Sequence, residues 1–210
     1  MKQYRAIIFD CGGVIFDFSP ANVFKHWAMV GNEDPNTLEH KFKFSEVYLK
    51  FERGEIDSSA FRAHTLNMLE LKINEEEFDR GWNNLYGDLV PGIEELLSDL
   101  QDDYRLVALT NTNEIHARKW QIICRPLLHY FEKVFSSHEI HARKPERKAY
   151  EIVLKYLDLA PDDVIFLDDN PQFVRAAAEL QIKAIQVNSF KQMVSDLRNL
   201  GVEVRASHGL

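Results

Sequence analysis

The chain reads as an α/β protein: a parallel sheet with helices on both faces and an all-helical insert after the first strand. Three observations predict this. Ala6–Phe9, Leu106–Leu109 and Val164–Leu167 are apolar runs without polar alternation, the pattern of strands covered on both faces. Helical patterns alternate with these runs, and such alternation makes right-handed βαβ units. Between Pro20 and Asp88 the spacing is helical throughout, with no strand.

In chain order, the first run ends on Asp10 and breaks into Gly12-Gly13, so Asp10 leaves the core where open α/β sheets place their ligands. Asp and Gly also form ordinary turns after strands, and this stretch alone leaves both readings open. Ile15 to Ser19 alternates apolar and polar residues like a small hairpin or flap, closed by Pro20. Four helical groups follow, carried by Val23, Trp27 and Val30, by Phe42, Val47 and Phe51, by Phe61, Leu66 and Leu69, and by Phe78, Trp82 and Leu85. Asp57-Ser58-Ser59 starts the third, and Asn74 with three glutamates starts the fourth. The core resumes after Pro91-Gly92 with a helix through Ile93, Leu96, Leu97 and Leu100. A strand over 105–110 follows, ending on Thr110-Asn111, then a helix over 114–129 and a short strand at Val134-Phe135. Lys144-Pro145 lies in a loop before the helix 148–157. The strand 164–167 ends on Asp168-Asp169-Asn170, and a helix (171–180), a strand (184–187) and a helix (189–200) complete the chain. The expected division is a core of residues 1–18 and 89–210 and a helical insert of 19–88, hanging as a lid over the edge that carries Asp10.

Composition narrows the partners. A formal net charge of -8 argues against nucleic acid and anionic membranes, which need a positive surface, and not against small phosphates. Cys11 and Cys124 have no paired spacing, so neither a disulfide framework nor a structural zinc site is indicated. The N-terminus lacks a secretory pattern and no apolar segment reaches spanning length, so a soluble, cytoplasmic protein is expected. Oligomeric state is not legible.

Asp10, Thr110-Asn111, Lys144 and Asp168-Asp169 all belong at one sheet edge. Each alone is an ordinary loop residue; together they suit phosphoryl transfer, in which the protein mostly positions and neutralises. Asp10 can attack phosphorus, Asp10 and Asp169 can share Mg²⁺, Lys144 can balance charge, and Thr110 with nearby N–H groups can hold phosphate oxygens.

In this order FDCGGV, LTNTN, RKPE and IFLDDN resemble the four motifs of the haloacid dehalogenase (HAD) superfamily, across essentially the whole chain. The helical insert resembles the C1 cap of subfamily I, and FERGEI is similar to a recurring cap segment. The likeness is nearest to sugar-phosphate phosphatases with a DxGNV-type first motif, the α-glucose-1-phosphate phosphatase group. The resemblance implies a Rossmann-like core and a Mg²⁺-dependent phosphatase of small phosphorylated metabolites. It makes Asp10 the nucleophile, Thr110 a phosphate ligand with Asn111, Gly12 and Lys144, and Lys144 the site's cation. The metal ligands would be Asp10, the Gly12 carbonyl and Asp169, with Asp168 orienting or bridging through water.

Two positions depart from the family pattern. Gly12 stands where most such phosphatases carry a general-acid Asp, a loss of roughly 10²–10⁴-fold unless the leaving group needs little protonation. A sugar 1-phosphate, with its acidic anomeric oxygen, meets that condition. Phe173 stands where an Asp or Asn often supports the metal. Asp17 in the flap is the best substitute proton donor. Cys11 reads as a small buried residue, and Trp27 and Trp82 as filling of the insert, with lining of a substrate pocket as the alternative for either. His116, His129, His138 and His141 read as exposed loop residues, and Arg143 as a solvated charge or an extra phosphate contact. Two other functions compete: 2-haloacid dehalogenation through an ester on Asp10, which needs no metal, and a catalytically silent phospho-ligand-binding module.

Overall fold

The structure is a computed structural model and describes residues 4–205. Five parallel strands form the main sheet: β1 (Ala6–Phe9), β4 (Arg105–Thr110), β5 (Lys133–Ser136), β6 (Val164–Asp168) and β7 (Lys183–Gln186), in the order β5-β4-β1-β6-β7. A second, two-stranded sheet pairs β2 (Phe16–Phe18) antiparallel with β3 (Tyr86–Leu89).

The unbroken apolar runs have a direct structural cause. Alternate residues of a strand point to opposite faces, so a strand covered on both sides must be apolar at every position. Ile7 and Phe9 of β1, with Leu106 and Ala108 of β4 and Ile165 and Leu167 of β6, enter one core. Ala6 and Ile8, with Val107, Leu109, Val164 and Phe166, enter the other. The first core is closed by α6 (Ile93–Leu100), α7 (Glu114–Ile123) and α11 (Phe190–Asn199), the second by α9 (Arg147–Leu157) and α10 (Pro171–Glu179). A single turn, α8 (Ser137–Ile140), follows β5.

Between the two small-sheet strands lie α1 (Ala21–Gly31), α2 (Pro35–Lys41), α3 (Glu46–Glu52), α4 (Ser58–Leu69) and α5 (Glu75–Trp82). Their inner faces make a third apolar cluster around Trp27, Phe51, Phe61 and Phe78, which Ile115 of α7 also joins. Trp27, fully buried, stacks on Phe78 at 4.8 Å and on Trp82 at 5.7 Å, and its indole N–H donates to the Phe78 carbonyl at 3.0 Å.

Three local readings are corrected. α2 is a helix that apolar spacing missed, because it buries only Leu38; its signal is the cap, with Asp34 accepting from the Thr37 N–H at 2.9 Å and Pro35 at the first position. The expected helix over 114–129 ends at Ile123, with Pro126 three residues on and a short 3₁₀ turn at Leu128–Tyr130. A strand does precede Asp88: β3 begins at Tyr86 and returns beside the flap, so the helical stretch ends earlier than its spacing suggested. Gly87 permits that approach, since a Cβ there would lie 3.0 Å from the Asp17 Cβ. Among the described residues no helix is long and apolar enough to cross a membrane.

Candidate active site

Because all five strands run the same way, β1, β4 and β6 deliver Asp10, Thr110 and Asp168 to one edge. The chain leaves β1 toward β4 and β5 and later returns to β6 and β7, so the strand order reverses at β1/β6, where such sheets bind ligands. Asp10 and the Asp168-Asp169 pair flank that point.

Lys144, fully buried, joins the two sides: its Nζ donates to Asp10 Oδ1 at 2.8 Å and to Asp168 Oδ2 at 2.6 Å. Burial alone would lower the lysine's pKa; the two carboxylates more than offset this, and it is held above its ordinary value. Asn111 fixes the lysine's backbone, its side chain accepting from the Lys144 N–H at 2.8 Å and donating to the Lys144 carbonyl at 2.9 Å. The Asn111 side chain is therefore engaged on the lysine's backbone. Asp168 accepts at its other oxygen from the Asn170 N–H at 2.8 Å, so both of its oxygens have protein partners. Asp169 lies against the Gly12-Gly13 turn. Gly13 has φ +73°, and a Cβ there would fall 2.6 Å from Asp169 Oδ2, so only glycine admits the carboxylate.

Asp10, Asp168 and Asp169 each offer an oxygen within 4.8 Å of the others, the sole cluster of this kind among the described residues. Three carboxylates against one lysine leave two excess negative charges in a largely buried site. Burial pushes Asp10 up to about 7, with Lys144 opposing and Asp168 adding, and burial and Asp168 raise Asp169 as well. An acidic oxygen set with unbalanced negative charge suits a hard divalent cation such as Mg²⁺. The residues present therefore fit such an ion.

Above the carboxylates is a cavity of about 510 Å³ between the sheet edge and the helices, lined at its base by Asp10, Gly12, Thr110, Lys144 and Asp169. The structure thus gathers every site residue expected from the sequence. The surrounding residues were read less well. Asp17 is exposed and absent from the lining, because the two-residue period of β2 gives the cavity Phe16 and Phe18 instead. Arg143 is not solvated: its Nε donates at 2.6 Å to the buried Glu52, which also accepts from Tyr48 Oη at 2.7 Å. His116 is buried rather than exposed. Its Nδ1 receives the Asn113 amide at 3.1 Å, its Nε2 therefore carries the proton toward the Trp82 carbonyl at 3.0 Å, and burial pushes its pKa down to about 4. His138 is half-buried, while His129 and His141 are exposed as expected. Cys11 is buried and its thiol is pushed well up, which fits a packing role. Phe173 lies in the lining with its ring centroid 5.2 Å from Lys144 Nζ.

FERGEI acts as a clasp between the helices and the sheet edge. Glu52 meets Arg143, Arg53 meets Glu146 at 3.1 Å, and the Gly54 Cα lies so close to the His138 carbonyl that no side chain fits. These partners lie in distant sequence, and no local pattern announces them.

A parallel sheet bearing an Asp–Lys–Asp bridge and a third carboxylate at its switch point defines an α/β protein with a cluster of charge at the edge where such sheets bind ligands. The chain belongs to the haloacid dehalogenase-like hydrolases, whose family pattern matches residues 4–181. A D-ribitol-5-phosphate phosphatase of Bacteroides thetaiotaomicron is 22% identical over 188 residues, covering 87% of this chain and 91% of its own. A sesquiterpene phosphatase of Aspergillus oryzae is 28% identical over 203 residues, covering 94% and 96%. Among solved structures, a HAD family enzyme of Bacteroides thetaiotaomicron in complex with magnesium and inorganic phosphate superposes with a TM-score of 0.77 at 25% identity, over 89% of this chain and 96% of that one.

Proposed function

We propose that the protein is a Mg²⁺-dependent phosphatase of small phosphorylated metabolites that works through an aspartyl phosphate. The observation that carries this reading is the Asp10–Lys144–Asp168 bridge at the sheet's switch point, with Asp169 beside it and a cavity above. A carboxylate of Asp10 attacks phosphorus as the bond to the leaving oxygen breaks, and that oxygen takes the electron pair. Water then attacks the phosphorus of the aspartyl phosphate, releasing phosphate and restoring Asp10. Lys144 holds Asp10 in place and offsets negative charge, while Thr110 and the backbone N–H of Asn111 receive phosphate oxygens. Asp10, Asp169 and the Gly12 carbonyl would hold Mg²⁺, which when bound neutralises charge on the phosphoryl group.

Residues 19–88 act in this reading as a C1-type cap over a core of residues 1–18 and 89–210, joined to it by the Glu52–Arg143 and Arg53–Glu146 pairs. The two free buried cysteines suit a reducing cytoplasm. Gly12 leaves the leaving group without a general acid from the usual position, so the alcohol released must be acidic. An anomeric hydroxyl meets that condition, and so does a phenol.

The test is phosphate release from a panel of phosphomonoesters with Mg²⁺ and with chelator, using Asp10→Asn as control. Release that needs both Mg²⁺ and Asp10 supports the reading. Chloride release from 2-chloropropionate without metal would instead establish a dehalogenase, and tight phosphate binding with no turnover of any ester would establish a silent binding module.

A further inference from the structure

On the phosphatase reading above, we infer that the substrate is the phosphate ester of a planar aromatic alcohol, a phenol-like leaving group rather than a polyol. Three features of the cavity carry this.

The first is its wall. Phe18, Phe24, Phe42, Phe44, Tyr48 and Trp82 line the space above the carboxylates. All but Phe18 form a connected series of rings. Phe44, 72% exposed, packs edge-on against Phe42 at 5.5 Å and Tyr48 at 5.0 Å. Both of these approach Trp82, at 5.9 and 6.3 Å, and Trp82 stacks on His116 at 4.7 Å. These rings pack on one another into one continuous apolar surface on the cavity, which suits a flat apolar guest.

The second is the state of the wall's polar groups. Tyr48 Oη and Arg143 Nε are both engaged by Glu52, whose two oxygens are thereby engaged too. Both ring nitrogens of His116 are occupied. The Trp82 indole N–H is buried without a partner, which leaves the terminal nitrogens of Arg143 as the wall's donors, with Asn170 lining nearer the base. A polyol brought here would lose water from several hydroxyls and find few partners, and unpaired buried hydroxyls are unfavourable. An aromatic ring has no hydroxyl array to satisfy.

The third is what replaces the missing acid. A Cβ at Gly12 would lie 3.5 Å from Phe18 Cδ1, so an apolar ring stands where a longer acidic side chain would reach. A phenol, with a pKa of about 10 like that of tyrosine, leaves as its anion without protonation far more readily than an alkyl alcohol.

The experiment compares 1-naphthyl phosphate, a fluorinated alkyl phosphate whose alcohol is as acidic as a phenol, α-glucose 1-phosphate and ribitol 5-phosphate, in wild type, Phe44→Ser and Asp10→Asn, with Mg²⁺. Both acidic esters are expected to exceed ribitol 5-phosphate in kcat/KM by at least about 10²-fold, the smallest usual contribution of a general acid, and naphthyl phosphate to exceed α-glucose 1-phosphate roughly tenfold through ring contacts. Naphthyl phosphate is expected to show a roughly tenfold lower KM than the fluoroalkyl ester through ring contacts. Phe44→Ser, at the exposed rim of the wall, should erase most of that KM difference. Sugar esters turned over as well as naphthyl phosphate would overturn the inference and leave the phosphatase reading intact. Equal KM for naphthyl and fluoroalkyl esters, unaltered in Phe44→Ser, would overturn aromatic recognition. No Asp10-dependent release from any ester would overturn the phosphatase reading and the inference with it.

Discussion

Lys144 Nζ sits 2.6 Å from Asp168 Oδ2, a fully buried pair that ties the loop before α9 to the end of β6. Its second contact, to Asp10 at 2.8 Å, makes the lysine the common partner of two strand ends. Removing one member of a buried ion pair leaves an uncompensated charge and costs about 3–5 kcal/mol. Lys144→Met is therefore expected to destabilise the fold by about that amount at pH 7 and to abolish turnover. Urea unfolding of the metal-free protein checks the first, and a midpoint unchanged from wild type would rule out this role of the pair.

Asp10→Asn should behave differently, because it removes one of three carboxylates facing a single lysine while keeping the side chain's shape. Activity is expected to vanish. Metal-free stability at pH 8 is expected to rise or stay level, since an unfavourably buried charge is gone. A Tm well below wild type under those conditions would show that Asp10 is stabilising rather than held at a cost to the fold.

Magnesium should stabilise the protein by an amount that grows with the logarithm of its concentration above Kd. At ten times Kd, binding to the native state alone adds about 1.4 kcal/mol. Asp169→Asn should reduce or abolish the rise in Tm with Mg²⁺, while Asp17→Asn, outside the cavity, should leave it as in wild type. Equal shifts in wild type and Asp169→Asn would remove Asp169 from the ligand set.

His116 predicts a pH dependence. Its pKa falls from 6.5 in the unfolded chain to about 4 when buried, so below pH 6.5 the unfolded chain takes up more protons and stability falls as pH drops toward 4. Between pH 7 and pH 5 this contributes a loss of about 2 kcal/mol. A His116→Gln variant should lose that much less than wild type over the same interval, as read from urea midpoints. Parallel pH profiles for the two proteins would assign the acid sensitivity to other groups.

Much of the fold was legible because its signals are local. Ala6–Phe9 and Val164–Leu167 are apolar at every position, since each face of their strands meets a different core. The ends of those strands and of β4 announced Asp10, Thr110 and Asp168-Asp169, since parallel topology sends every strand end to one edge. β3 escaped because its partner lies nearly seventy residues earlier, and nothing in YGDL marks a strand. His116 was misread because exposure in a helix depends on what packs against it, here Trp82 and Tyr86.

By itself the sequence determined the α/β class, the helical insert and the set of residues at the chemical edge, because strand burial, helix spacing and turn residues act over a few positions. Only the tertiary structure decided how that edge is wired. It joined Lys144 to both Asp10 and Asp168, engaged Asn111 on the lysine's backbone, set Asp169 against Gly13, turned Asp17 outward and brought an aromatic wall over the carboxylates. Those relationships join residues far apart in the chain, and their energies exist only once folding has removed the water between them.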